Sequence, residues 1–211
     1  MIETRLTRKF DLDHPIVSAP MAMAAGGALA AAVTASGGLG LIGGGYGDPD
    51  WIETAFRDAG NARVGVGLIT WKLAQQPGVL TRVLEHDPAA VLLSFGDPTG
   101  FAAEIDAAGV PLICQVQSLE HVHQAIEAGA TVIVAQGGEA GGHGASRATM
   151  TLVPEVADLL ARIAPEVVVL AAGGVGDGRG LAAALMLGAD GVLIGTRFWA
   201  SKEALVPQTH R

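Results

Sequence analysis

The residues best placed to do chemistry lie in one short stretch, Gln136-Gly137-Gly138-Glu139-Ala140-Gly141-Gly142-His143-Gly144. A histidine flanked by glycines has little local packing to bury it. Its near-neutral pKa allows general-base or proton-donor work without a metal. Gln136 carries both donor and acceptor groups, which suit the carbonyl and N–H edge of a flat ring. The plain alternative for His143 is a solvated loop side chain. The other histidines carry weaker signals: His121 and His123, two apart, cannot share a helix face, and no Cys/His/carboxylate set has zinc-ligand spacing. No metal is expected. A Gly-x-Ser-x-Gly elbow is absent, and Gly43-Gly44-Gly45-Tyr46-Gly47 lacks the Lys-Ser/Thr ending of a phosphate-binding P-loop.

Two further stretches suit a phosphate. Ala171-Ala172-Gly173-Gly174-Val175 and Gly195-Thr196-Arg197-Phe198 offer bare backbone N–H groups, a Thr hydroxyl and no Cβ to keep phosphate oxygens away. Glycines that merely make tight turns would look the same singly; the pairing is the more specific feature. A phosphate site with so few basic residues around it suits a mononucleotide better than a polyanion. Ala19-Pro20-Met21 adds a rigid turn and a flexible thioether that could support the face of an aromatic ring, although a Met in such a place is often simply core.

These stretches need elements to position them, and the sequence supplies a regular set. Eight short, continuously apolar runs recur: 15–19, 39–43, 64–69, 90–94, 111–116, 131–136, 167–172 and 191–195. Continuous rather than alternating hydrophobicity predicts parallel strands shielded on both faces. Between them lie candidate helices over about 24–36, 49–60, 73–86, 99–108, 118–129, 153–163 and 178–187. Strict alternation of this kind predicts an α/β fold, a (β/α)8 TIM barrel over residues 1–211 as one domain, with an open doubly wound sheet as the alternative. In a barrel every candidate stretch falls at a strand's C-terminal end, where barrels carry their sites, and the seventh and eighth ends commonly hold phosphate. The segment from Gly137 to about Thr151 is read as a long functional loop. Only Ser201–Arg211 follow the last strand, so the barrel is expected to lack most of its final helix and C-terminal segment, as a C-terminally truncated domain would. The uncovered seam predicts self-association as a homo-oligomer.

Half of the 211 residues are hydrophobic and 16% are charged, which excludes a disordered chain. A net charge of −8 without basic clusters argues against nucleic acid and anionic membranes as partners. The single cysteine, Cys114, lies in an apolar run and reads as a buried thiol in a cytoplasmic protein.

Taken as an ordered set, Ala19-Pro20-Met21, Gly65-Val66-Gly67 with Ile69-Thr70-Trp71, Gln136 through His143, Ala172-Gly173-Gly174 and Gly195-Thr196-Arg197-Phe198 resemble the nitronate monooxygenases, also called 2-nitropropane dioxygenases. The resemblance runs from about Pro15 to Ser201. It implies a TIM barrel with non-covalent FMN. Gly173, Gly174, Gly195, Thr196, Arg197 and Phe198 would hold the phosphate, and Ala19, Pro20, Met21, Gln136 and Gly141 would surround the flavin ring. His143 matches the family's active-site base. The implied reaction takes a nitronate, or a neutral nitroalkane after removal of its α-proton, with O2 to a carbonyl compound and nitrite. Two alternatives stand beside it: a flavin-dependent enoyl-thioester (enoyl-ACP type) reductase using NAD(P)H, and a catalytically silent flavin-binding barrel.

Overall fold

The computed structural model describes residues 2–144, 146–207 and 209. Among these, eight parallel strands form one sheet: β1 (Ile16–Ser18), β2 (Leu41–Gly45), β3 (Gly65–Ile69), β4 (Val91–Ser94), β5 (Leu112–Val116), β6 (Val132–Gln136), β7 (Val168–Ala172) and β8 (Gly191–Ile194). The order is β1-β8-β7-β6-β5-β4-β3-β2. The two ends of the sheet meet just before β2. Ser18 N donates to Leu39 O and Leu39 N to Ile16 O, both at 3.0 Å, and the Ser18 hydroxyl accepts from Leu41 N at 2.9 Å. The sheet is thus a closed (β/α)8 barrel.

Ten helices accompany it among the described residues: α1 (Arg5–Phe10), α2 (Gly27–Ala35), α3 (Pro49–Ala59), α4 (Thr70–Leu73), α5 (Val79–Glu85), α6 (Thr99–Ala107), α7 (Leu119–Glu127), α8 (Thr149–Ile163), α9 (Gly178–Met186) and α10 (Thr196–Trp199). Side chains alternate across each strand. On β6, Val132 and Val134 point inward with Leu92, Ile113, Leu170 and Leu193, whereas Ile133 and Ala135 point outward against Val153 and Val156 of α8. Both faces are therefore buried, which is why the strands read as unbroken apolar runs. Burying each such side chain contributes about 1.5–3 kcal/mol.

Helix boundaries differ from the sequence reading where the deciding partner is distant. Of the helix expected over 73–86 only α5 forms, since Leu73 ends the short α4 and Gln76-Pro77-Gly78 delays the next helix, Gly78 taking a left-handed φ of 85°. The helix expected from 153 begins at Thr149, with Pro154 inside it. Its first turn is held by the Glu139 carboxylate, which accepts from both Thr149 N and the Thr149 hydroxyl at 2.8 Å.

Helix α1 was absent from the sequence reading altogether. It closes the barrel's N-terminal end, with Leu6 and Phe10 joining the interior cluster. A Thr4/Thr7 capping box starts it, and Arg5 clamps Asp190 through two hydrogen bonds of 2.8 and 2.7 Å. The expected bare seam is also corrected. After α10 the chain turns back so that Ala204 and Val206 pack with Leu29 and Val33 of α2, and Leu205 N donates to Ala24 O at 2.9 Å. Outward-facing Val192 and Ile194 of β8 are buried, so an open seam no longer supports self-association.

Candidate active site

All the sequence-predicted site residues lie at the barrel's C-terminal mouth, where the strand ends bring them into three groups. The first joins β1 to β8. Ala19 N donates to Ile194 O at 2.8 Å, and a Cβ on Gly195 would lie 3.5 Å from Ala19 Cβ and 3.7 Å from Met21 Sδ. Pro20 folds into the mouth over β3. A Cβ on Gly67 would sit only 2.2 Å from Pro20 Cγ, so the glycine is what admits the proline ring.

The second group comes from β7 and β8, which pair Ala172 with Leu193, so that Gly173-Gly174 and Gly195-Thr196 emerge side by side. Gly173 and Gly174 take φ values of 110° and 73°, backbone that favours glycine. A Cβ on Gly173 would press on the Thr149 hydroxyl and Ala140 N, at 2.8 and 2.9 Å. These turns leave backbone N–H groups and the exposed Thr196 and Arg197 at the rim.

The third group is the polar end of the mouth. Gln136 is buried at the end of β6. Its Oε1 accepts from Gln115 Nε2 at 2.9 Å and Gln117 Nε2 at 2.7 Å, and its Nε2 donates to Gly141 O at 3.1 Å. Gln136 therefore does not offer both donor and acceptor, as its residue type suggested: the acceptor is taken, and one N–H remains. Gln117 Nε2 also donates to His143 O at 2.6 Å. The His143 ring lies against Phe95, centroids 4.7 Å apart and planes tilted by 51°. Phe95 itself has a φ of 61°, strained for a non-glycine residue. His143 is exposed, as its glycine neighbours suggest.

Sequence reasoning missed Gln115, Gln117 and Phe95. A signal existed for the glutamines: two apart, Gln115 within and Gln117 just past an otherwise apolar strand, they turn to the same side and both reach Gln136. Beside them a pocket of about 190 Å³ is lined by Phe95, Gln115, Gln117, His121 and Gln124 over Leu93 and Val116. Its volume exceeds the roughly 150 Å³ of an engineered cavity that holds benzene.

The charged groups nearby have settled states. Hydrogen bonds from the backbone and hydroxyl of Thr149 hold Glu139 below the usual carboxylate range, so it is an anion that organises its loop. Burial pushes the Cys114 thiol up to about 12, which leaves it protonated and inert.

The residues present suit a flavin: glycine turns without Cβ atoms could admit a phosphate, Pro20 could lie under a flat ring, and the spare Gln136 N–H could meet an acceptor on its edge, while Met21 packs against Ala24 and Leu29 beside them. The nitronate monooxygenase family model matches residues 3–65 and 61–211. The chain belongs to the nitronate monooxygenase family. A nitronate monooxygenase of Neurospora crassa is 38% identical, the match covering 93% of this chain and 62% of that protein. A Rhodococcus jostii relative, named (3aS,4S,5R,7aS)-5-hydroxy-7a-methyl-1-oxo-octahydro-1H-indene-4-carboxyl-CoA dehydrogenase, is 33% identical over 99% of this chain and 58% of its own length. Among solved structures, FabK from Thermotoga maritima superposes with a TM-score of 0.87 at 36% identity, covering 97% of this chain and 65% of that one. Nitroalkane oxidase from Streptomyces ansochromogenes gives 0.76 at 27%, covering 95% and 70%. The chain thus spans about three-fifths of the length of the curated relatives it matches.

Proposed function

We propose that this nitronate monooxygenase family member binds FMN across the barrel mouth and oxidises alkyl nitronates with O2 to a carbonyl compound and nitrite. The observation that carries the reading is the placement of His143: an exposed imidazole braced by Phe95 and Gln117 on the same mouth as the glycine turns of β7 and β8. When bound, FMN supplies electron acceptance from the nitronate and delivery to O2. Gly173, Gly174, Gly195, Thr196, Arg197 and Phe198 would hold its phosphate. Ala19, Pro20, Met21, Gln136 and Gly141 would surround its ring, with the spare Gln136 N–H directed at an acceptor on the ring edge. The His143 imidazole takes the α-proton from a neutral nitroalkane; a nitronate arrives without that proton. Substrate and O2 are the expected partners, and among the described residues no helix is long and apolar enough to cross a membrane.

The test has two stages. The purified chain, incubated with FMN and freed of excess, retains a perturbed flavin spectrum at near-stoichiometric occupancy. Nitrite release and O2 uptake are then followed with nitroethane and with its preformed nitronate. His143→Asn slows the nitroethane reaction by about 10²- to 10⁴-fold, the usual scale of a general base, and slows the nitronate reaction far less. Failure to retain FMN, or equal loss on both substrates, refutes the assignment.

One observation favours a second reading. The Rhodococcus relative is named as a dehydrogenase of a carboxyl-CoA, and a thioester substrate is what it has in common with a flavin-dependent enoyl-thioester reductase. Oxidation of NADPH in the presence of an enoyl thioester, with no nitrite from nitronates, would select it.

A further inference from the structure

Gln117 stands between the two groups on which the proposed function depends. Its amide nitrogen has two hydrogens, and both are used: one reaches Gln136 Oε1 at 2.7 Å, the other His143 O at 2.6 Å. Gln136 is thereby fixed in one orientation. Two donors, from Gln115 and Gln117, fill both lone pairs of its oxygen, so its nitrogen must face Gly141 O and the mouth. Besides the Gln136 bond to Gly141 O and the Phe95 ring beside the imidazole, the described residues give the His143 segment little other restraint. Gly142 takes a φ of 86°, and an added Cβ at Gly141 or Gly144 would meet nothing within 4 Å. A chain so rich in glycine loses much entropy when held in one conformation, and the Gln117 bond is what opposes that loss at the His143 carbonyl.

We propose that Gln117, at the end of β5, is a positioning residue that sets Gln136 as a donor toward the mouth and ties the His143 segment to the barrel wall through one amide nitrogen. This rests on the reading of His143 and Gln136 as site residues. Gln117 acts through them and touches neither substrate nor cofactor. The requirement is chemical rather than steric: two oxygen acceptors face the position, so it must present donors. Gln117→Glu keeps the shape but brings a carboxylate against two acceptors. Gln117→Lys changes the shape but keeps donors on a stem of similar reach.

Backbone 15N relaxation of the intact chain, with and without FMN, reads the tether directly. In Gln117→Glu the order parameters of residues 142–144 fall into the flexible range, below about 0.6, while the strands stay at about 0.85. Gln117→Lys stays close to the parent, since its donors survive. Gln115→Ala, which removes a bond to Gln136 but none to His143, leaves 142–144 unchanged. With turnover, Gln117→Glu lowers kcat on a neutral nitroalkane while KM holds, and Gln117→Lys restores it. Parent-like order parameters at 142–144 in Gln117→Glu would overturn the proposal, as would an equal fall in Gln117→Lys or Gln115→Ala. If Gln117→Glu fails to fold, Gln117→Ala carries the same prediction and the same refutation. Should the parent fail to oxidise nitronates, the functional reading falls, and the relaxation contrast still decides the role of Gln117.

Discussion

Replacing Gly67 by alanine tests how the barrel mouth is built. The new Cβ would stand 2.2 Å from Pro20 Cγ and 2.4 Å from Pro20 Cβ. Carbon atoms in good contact lie about 3.5–4.0 Å apart, so one side must retreat by about 1.3 Å or more. Strand β3 cannot, being paired to β2 and β4 along its length. The Pro20 turn is tethered on both sides, by Ala19 N to Ile194 O and Met21 N to Ala19 O, and it yields only with distortion. Overpacking of this kind costs about 1–3 kcal/mol. At about 2–4 °C per kcal/mol for a chain of this size, a 2 kcal/mol cost lowers Tm by roughly 4–8 °C. Because Pro20 moves, FMN affinity falls as well, by about tenfold for each 1.4 kcal/mol of lost ring contact. Gly100→Ala is the control: it lies in α6 with nothing within 4 Å of its new Cβ, and it stabilises by about 0.5–1 kcal/mol. Thermal melts of the FMN-free chain and a flavin-fluorescence titration measure both effects. A Gly67→Ala variant that melts within about 1 °C of the parent and binds FMN equally well would show that Pro20 does not need the glycine.

Two other perturbations separate structural contributions. The Glu139 carboxyl is held below its ordinary range by Thr149, so it stabilises the fold above the unfolded-state value and loses that contribution as pH falls through the lower folded-state value; chemical denaturation should show parent and Glu139→Gln converging as pH is lowered below about 4. Arg5→Ala breaks a clamp on the largely buried Asp190 and is expected to cost about 1–2 kcal/mol, discounted for the partial exposure of Arg5. Arg8→Ala, which removes a pair exposed on both sides, should change the denaturation midpoint far less.

The strands were legible because burial on both faces leaves a signature in each strand's own residues, as in Val132–Gln136. The start of α8 was not, because its cap is Glu139, ten residues away from Thr149 and contributed by a loop. Local signals placed the start at about Val153 instead. Helix α1 was missed since its anchor, Asp190, lies at the far end of the chain. At the mouth, the glycine turns and His143 stood out by type and flanking residues. The brace around His143 did not: Phe95 and Gln117 belong to β4 and β5 ends far from residue 143 in sequence, and only closure of the barrel brings them together. For the same reason the donor-only state of Gln136 follows from its neighbours rather than from its own chemistry.

The Arg5–Asp190 clamp spans 185 positions and also sets an order of events during synthesis. Residues Leu6 and Phe10 emerge from the ribosome long before Asp190, the residue that fixes α1 beneath the barrel. Strand β1 likewise waits for β8, its partner through Ile16 and Val192. Earlier pairs such as β3 with β4 can form while translation continues, but the lower opening of the barrel stays unsealed until Asp190 has left the exit tunnel. During that interval the apolar face of α1 has no partner, so a nascent chain stalled before residue 190 would expose Leu6 and Phe10 to aggregation or to a chaperone.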